Sequence, residues 1–124
     1  MQALAYMHKR GYVHRDLKLE NILYDQMQVK LIDFGFAERI NKVENYCGTP
    51  HYMAPEIVKK IPYNPQAADI WAAGVILYLI YVGKLPFFGE FEADLFRKIQ
   101  SAKYTPVPQD LGDNAVRSMF AGIF

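Results

Sequence analysis

The chain has a single cysteine, a single tryptophan and no run of basic residues among its 124 residues. One cysteine cannot close a disulfide within the chain, which is typical of a reducing compartment, so we expect a cytoplasmic or nuclear location. Lysine and arginine number 14 against 13 aspartate and glutamate residues, and the formal net charge is only +1. We therefore expect neither nucleic acid nor an anionic membrane surface as a partner.

The sequence also lacks a hydrophobic run of membrane-spanning length. Its longest uncharged stretch, Ile70–Gly83, is shorter than the ~18 residues that a membrane span needs. Asn64 and Pro65 precede it, and they are the residue types that begin a helix. We therefore predict a helix over residues 64–83 that is buried at the centre of the fold, because apolar residues occupy nearly every side of it.

The remaining pattern predicts a mainly helical α+β fold with one short β-hairpin. Further helices are predicted over residues 1–10, over residues 92–100 and from Asp113 onward. Residues 22–24 and 29–32 are β-prone runs on either side of a polar turn centred near residue 27. Asn21 and Asp33 lie at equal distances from that centre, so antiparallel pairing predicts that they meet at the open end of the hairpin. Residues 35–63 are predicted to be largely irregular, and long irregular segments are often functional.

Three motifs follow one another along the chain: HRDLKLEN (His14–Asn21), DFG (Asp33–Gly35) and APE (Ala54–Glu56). With these motifs the chain resembles the catalytic domain of eukaryotic serine/threonine protein kinases. The stretches DFGFA, CGTPHYMAPE and GKLPFFGE look most like the calmodulin-dependent kinase group. The resemblance covers essentially the whole chain. It implies that residues 1–124 are a partial kinase domain, namely an incomplete C-terminal lobe without the N-terminal lobe and the last helices.

The resemblance implies a role for each residue of the first motif. Asp16 would take the proton of the acceptor hydroxyl, and Lys18 would place a positive charge near the transferred phosphate of ATP. Asn21 and Asp33 would bind Mg²⁺ through an amide oxygen and a carboxylate oxygen, which are hard ligands. Lys18 also differs from the pattern of tyrosine kinases, which favours a serine or threonine acceptor in a protein substrate.

Other residues are assigned by the same resemblance. Thr49 would face Asp16 and Lys18 on the substrate side. Glu20 resembles an acid that binds a basic residue upstream of the target, and the alternative of a solvated surface glutamate stays open. Asp69 would hold the backbone of the catalytic loop. We interpret His14 as a packing residue and not as a base.

Arg15 resembles the arginine that contacts a phosphate on the activation segment of many kinases. Between Gly35 and Gly48 this chain has no serine or threonine, and Asn45 stands where the usual threonine would be. Arg15 still needs negative charge nearby. We hypothesise that the segment is ordered through Glu44 and Asn45, with Glu44 supplying part of that charge, or that control lies elsewhere. The alternative is that Arg15 pairs with some other acid.

Two parts of the family pattern are expected to lie outside this chain. The glycine-rich loop and the strand lysine precede the catalytic loop in the family, so the N-terminal lobe that contains them is needed for ATP binding. Glu56 pairs with a later arginine in the family, and we expect it here as an unpaired buried carboxylate, at a cost of about 3–5 kcal/mol. Two functions stay open: a kinase seen as a catalytic-domain fragment, and a non-catalytic kinase-like module that binds substrates or partners as a scaffold.

The isolated chain is expected to bind Mg-ATP weakly or not at all and to transfer no measurable phosphate, because the phosphate cradle is not part of it. Calorimetry with Mg-ATP and a peptide phosphorylation assay would measure both quantities. Robust turnover by the purified chain that disappears in the Asp16→Asn variant would contradict this expectation.

Overall fold

A computed structural model describes all of residues 1–124. Its five α-helices are Gln2–Lys9 (α1), Pro55–Lys59 (α2), Pro65–Val82 (α3), Glu92–Gln100 (α4) and Asn114–Ile123 (α5). Its four strands are Tyr12–Val13 (β1), Ile22–Asp25 (β2), Gln28–Leu31 (β3) and Glu38–Arg39 (β4). They form two separate antiparallel pairs, β1 with β4 and β2 with β3. The predicted mainly helical architecture with one hairpin is confirmed, and the β1–β4 pair is an element that the sequence did not predict.

Helix α3 begins and ends where its capping residues predict. The Asn64 side-chain oxygen accepts hydrogen bonds from the backbone N–H groups of Gln66 and Ala67, and Gly83 ends the helix with a φ of 77°. Eight residues of α3 are buried, from Asp69 to Tyr78. By length and hydropathy α3 is also the one helix that could cross a membrane, and 44% of that window is buried inside the domain. The predicted helix is therefore confirmed, but its burial is only partial: Ile70, Leu77 and Ile80 are 42%, 40% and 65% exposed, so one side of the helix is not covered.

Aromatic rings hold α3 to the C-terminal part of the chain. Trp71 stacks on Phe87 with ring centroids 5.6 Å apart, and Phe124 meets the two rings edge-on at 5.1 and 5.2 Å. Tyr78 packs edge-on against Phe120 of α5 at 5.2 Å. Such pairs add about 0.5–1.5 kcal/mol each beyond the burial of their area. This packing fixes the position of α3, and the loops at its N-terminal end are held against it.

The β2–β3 hairpin closes through a two-residue turn. Gln26 and Met27 both have positive φ, 45° and 65°, as a type I′ turn requires. The register pairs Asp25 with Gln28, so the centre falls between residues 26 and 27, half a residue before the predicted centre at 27. The partner of Asn21 is consequently Ile32, whose N–H donates to the Asn21 carbonyl at 3.0 Å.

The two C-terminal helices and the irregular segment over residues 35–63 lie where the sequence predicts them. The helix predicted over 92–100 coincides with α4, and α5 follows Asp113, whose carboxylate accepts a hydrogen bond from the Val116 N–H at 3.0 Å. Residues 35–63 contain only β4, two single 3-10 turns and the short helix α2.

The expectation for Glu56 is wrong: its side chain is exposed in the first turn of α2. Water solvates this carboxylate, so no buried unpaired charge destabilises the chain.

Gly74→Ala is expected to lower the free energy of unfolding. A Cβ at this position of α3 would lie 2.4 Å from Ile123 Cγ2, so the Ile123 side chain, or α5 with it, would have to shift. Overpacking of this kind costs about 1–3 kcal/mol, whereas replacing a helical glycine by alanine gains only about 1 kcal/mol. Urea denaturation of the purified protein would measure the difference.

Gly122→Ala is the matched control, because a Cβ there meets nothing within 4 Å. This variant is expected to be as stable as the parent or more stable. If both variants stabilise the protein, the inference that α3 packs closely on α5 at Gly74 is wrong.

Candidate active site

The loop that follows β1 carries the first motif and is largely buried. His14, Asp16 and Asn21 are 0%, 5% and 5% exposed. Buried polar groups require hydrogen-bond partners. The loop can therefore keep its conformation only if specific donors and acceptors meet it from other elements.

Asp69 of α3 is the main partner of this loop, as predicted. Its Oδ2 accepts a hydrogen bond from the His14 backbone N–H and its Oδ1 accepts one from the Arg15 N–H, both at 2.9 Å. Arg15 has a φ of 70°, a left-handed conformation that costs a non-glycine residue about 1–3 kcal/mol. The two bonds to Asp69 stabilise the backbone in that conformation.

The sequence analysis missed His8 as a third contact of the same carboxylate. Its Nε2 lies 2.8 Å from Asp69 Oδ2. His8 is in the last turn of α1, and Asp69 is 61 residues away along the chain. No local pattern around His8 indicates this contact, because it arises only when α1 packs beside α3.

Asp16, Lys18 and Thr49 contact one another, as the sequence predicted. The Thr49 hydroxyl donates to Asp16 Oδ1 at 2.8 Å, and Lys18 Nζ lies 2.9 Å from Asp16 Oδ2 and 3.3 Å from Thr49 Oγ1. The hydrogen bond to Asp16 raises the pKa of Lys18, and the charges of Glu20 and Asp33 act in the same direction. A carboxylate with a fixed ammonium partner thus faces an aliphatic hydroxyl.

Asn21 and Asp33 both lie at the open end of the hairpin, with Asp33 one residue beyond the partner of Asn21. Asn21 Nδ2 donates to the Asp16 carbonyl at 2.9 Å, and Asp33 Oδ1 accepts from the Gly35 N–H at 3.2 Å. These bonds leave Asn21 Oδ1 and Asp33 Oδ2 unused. The two free atoms are hard oxygen donors of the kind that Mg²⁺ prefers, and Mg²⁺ commonly takes only one or two protein ligands together with substrate phosphates. The residues therefore fit a magnesium ion.

Three other residues of the motifs have simpler surroundings. Glu20 is exposed and forms no salt bridge. The His14 ring contacts the Ile32 carbonyl through Nε2 at 3.2 Å and lies 5.4 Å from the ring of Phe34. These contacts confirm His14 as a packing residue, while Phe34 itself is 51% exposed.

Gly48 brings the activation segment, defined here as residues 35–49, close to the catalytic loop. It has a φ of 131°, and a Cβ there would lie 3.3 Å from the Arg15 carbonyl. Both the conformation and the close approach favour glycine at this position. Two residues adjacent to it, Cys47 and Thr49, contact Arg15 and Asp16.

The structure contradicts the hypothesis that Glu44 supplies charge to Arg15. Glu44 is exposed and makes no salt bridge, and no other carboxylate forms one with Arg15. The Arg15 guanidinium donates to Asn45 Oδ1 at 2.8 Å, as the Asn45 part of the hypothesis expects, and also to Cys47 Sγ at 2.7 Å. The Cys47 contact was missed, because a cysteine in an irregular segment carries no pattern that predicts its neighbour.

Comparison with known proteins identifies the family. The family model described as protein kinase domain matches residues 1–118. The chain belongs to the protein kinase family. This kinase chain is 45% identical over 109 residues to the mitosis inducer protein kinase cdr1 of Schizosaccharomyces pombe. The matched stretch covers 84% of the chain and 18% of the relative.

Other relatives are about equally similar. The kinase chain is 44% identical to human NUAK family SNF1-like kinase 1 over 108 residues, which is 84% of the chain and 16% of the relative. It is also 44% identical to calcium/calmodulin-dependent protein kinase type II of Caenorhabditis elegans over 117 residues, which is 88% of the chain and 16% of the relative. The calmodulin-dependent group is thus one of several similar groups. The kinase chain spans less than a fifth of the length of these three relatives.

Asp69→Asn is expected to lower the free energy of unfolding, because an amide nitrogen cannot accept a hydrogen bond. One of the N–H groups of His14 and Arg15 would lose its acceptor, at a cost of about 1–3 kcal/mol. Urea denaturation would measure the loss, and hydrogen exchange would locate it at these two amides. Asp110→Asn is the matched control, since Asp110 is exposed. An equal effect of the two substitutions would contradict the anchoring role of Asp69.

Proposed function

We propose that this chain is part of the catalytic domain of a serine/threonine protein kinase, which transfers the γ-phosphate of ATP to a hydroxyl of a protein substrate. The observation that carries the proposal is the contact of the Thr49 hydroxyl with Asp16 Oδ1 at 2.8 Å, beside Lys18 Nζ at 3.3 Å. It supports a site in which an aliphatic hydroxyl is received by a carboxylate and an ammonium group. The relatives described above are all named as kinases.

The roles of the residues follow from these contacts. Bound Mg-ATP would supply the phosphoryl group, and Asn21 Oδ1 and Asp33 Oδ2 would hold the magnesium ion. Asp16 would accept the proton of the acceptor hydroxyl while the hydroxyl oxygen forms a bond to the γ-phosphorus, and the bond from that phosphorus to the oxygen of the departing ADP would break. Lys18 stays protonated beside Asp16 and stabilises negative charge that develops next to the acceptor.

The substrate side is proposed from two exposed or half-exposed residues. Thr49 lies at the mouth of the site, where its bond to Asp16 must open or shift when a substrate hydroxyl enters. Glu20 is one residue before Asn21 and exposes its carboxylate without a partner. We therefore propose that the Glu20 carboxylate binds a basic side chain of the substrate through the attraction of opposite charges at the surface.

The surface of the chain supports the assignment to part of a larger lobe. A cavity of about 820 Å³ lies between α1, the β2–β3 hairpin and α3, and most of its lining is hydrophobic. Leu77 and Ile80 of α3 are 40% and 65% exposed there. Exposed apolar side chains grouped around one cavity are suited to contact with other protein, which supports our proposal that residues 1–124 are part of the C-terminal lobe of a kinase domain whose other parts complete the ATP site.

Asp16→Asn and Asp33→Asn are expected to separate turnover from nucleotide binding in the full-length protein. Asp16→Asn removes the proton acceptor, so kcat should fall about 10²–10⁴-fold with the Kd for Mg-ATP nearly unchanged. Asp33→Asn removes the carboxylate ligand of the metal, so kcat should fall and the Kd for Mg-ATP should rise. Peptide phosphorylation and calorimetry would measure them.

Asp110→Asn serves again as the exposed control. Equal loss of Mg-ATP affinity in the Asp16 and Asp33 variants would refute the division of roles. Absence of any phosphoryl transfer by the full-length parent would refute the proposed enzyme and favour a binding module.

A further inference from the structure

Arg15 is a half-buried cation whose structural partners are all neutral. Its guanidinium donates to Asn45 Oδ1 at 2.8 Å and to Cys47 Sγ at 2.7 Å, and its Nε is buried without a hydrogen-bond partner. A guanidinium is always charged, and bonds from a charged donor are stronger than those between neutral groups. The contact with the Asn45 side chain is the one hydrogen bond that the Arg15 side chain makes to an oxygen.

Asn45 is held from a second direction. The Tyr63 hydroxyl donates to the Asn45 carbonyl at 3.4 Å, and the Tyr63 ring lies 5.8 Å from the ring of Tyr46. Tyr63 comes just before α3 in the chain. The Asn45 side chain thus contacts the catalytic loop, while its backbone contacts the residues that lead into the central helix.

Two adjacent residues of the catalytic loop hold two positions of the activation segment. Arg15 holds Asn45, and Asp16 holds Thr49 through the hydroxyl contact at 2.8 Å. Gly48, between them, allows the close approach to the Arg15 carbonyl. The stretch from residue 45 to 49 is therefore fixed at both ends on the same loop that carries Asp16.

Apart from Thr49, whose hydroxyl donates to Asp16, the activation segment offers a phosphate almost no place to attach. Residues 35–48 contain no serine or threonine, and Tyr46 is their only hydroxyl. The Tyr46 ring packs against Tyr63 and is 40% exposed. The position that contacts Arg15 is Asn45, whose side chain has no hydroxyl to be phosphorylated.

We propose that the Asn45 amide oxygen takes the place of a phosphate at Arg15, so that the activation segment is ordered for substrate without being phosphorylated. This inference rests on the proposed kinase function and concerns the regulation of the same site. Because the amide is neutral, the contact is weaker than a contact with an anion. A carboxylate at residue 45 strengthens it.

The test uses the full-length protein with Asn45→Ala, Asn45→Asp and, as a matched control, Asn41→Ala. Asn41 is an exposed asparagine of the same segment that makes no side-chain hydrogen bond to Arg15. Hydrogen–deuterium exchange of the peptide over residues 38–48 reports the order of the segment independently of activity. Phosphorylation of a peptide, before and after treatment with a protein phosphatase, reports the regulation.

Asn45→Ala is expected to raise the exchange rate of this peptide about tenfold, as loss of a hydrogen bond to a charged group implies, and to lower kcat/KM by a similar factor. Asn45→Asp should exchange as slowly as the parent or more slowly, and Asn41→Ala should match the parent. Phosphatase treatment should change the activity of the parent less than about twofold, far below the tenfold effect of losing the charged hydrogen bond.

Exchange in Asn45→Ala equal to that in Asn41→Ala would overturn the proposal. Loss of activity of the parent on phosphatase treatment, with phosphate found on Tyr46 by mass spectrometry, would overturn it as well. If the full-length parent transfers no phosphate at all, the proposed kinase function fails, and the exchange comparison alone then supports or overturns the Asn45 contact.

Discussion

The carboxylate of Asp69 is the contact on which the rest of the site depends. It accepts the backbone N–H groups of His14 and Arg15 and lies 2.8 Å from His8 Nε2. It can do so because α3 is capped at both ends and packed among aromatic rings, so that a 2% exposed acid is held at a fixed point. An unpaired charge at that depth would be strongly destabilising, and the loop supplies the donors that prevent it.

The anchored loop then orders the activation segment and places the polar groups of the site. Arg15, in its left-handed conformation, contacts Asn45, and the next residue, Asp16, contacts Thr49 and Lys18. The same loop continues into the hairpin, which places Asn21 and Asp33 at one end. The loop thus places the Asp16 carboxylate beside the Lys18 ammonium group, a few residues from the Asp69 contact, and the hairpin that follows places the free oxygens of Asn21 and Asp33 at its open end.

Features with a local physical cause were predictable from the sequence. Asn64 and Pro65 begin α3, Asp113 caps α5, and the alternation around the polar turn makes the hairpin, because capping and turn preferences act within a few residues. The predicted turn centre was half a residue off and the pairing of Asn21 therefore one residue off, since Gln26 and Met27 are not typical residues for positive φ. The motifs also predicted that Asp16, Lys18 and Thr49 lie together, on the strength of the family resemblance.

The sequence by itself determined the family, the hairpin and the longer helices, but not the β1–β4 pair. The tertiary structure alone decided that His8 contacts Asp69, that Cys47 contacts Arg15 and that Glu56 is exposed. Charge arguments favoured Glu44 for Arg15, but burial and distance are properties of the packed chain. Hydrogen bonds act over about 3 Å, so contacts between residues tens of positions apart exist only after α1, α3 and the activation segment have packed together.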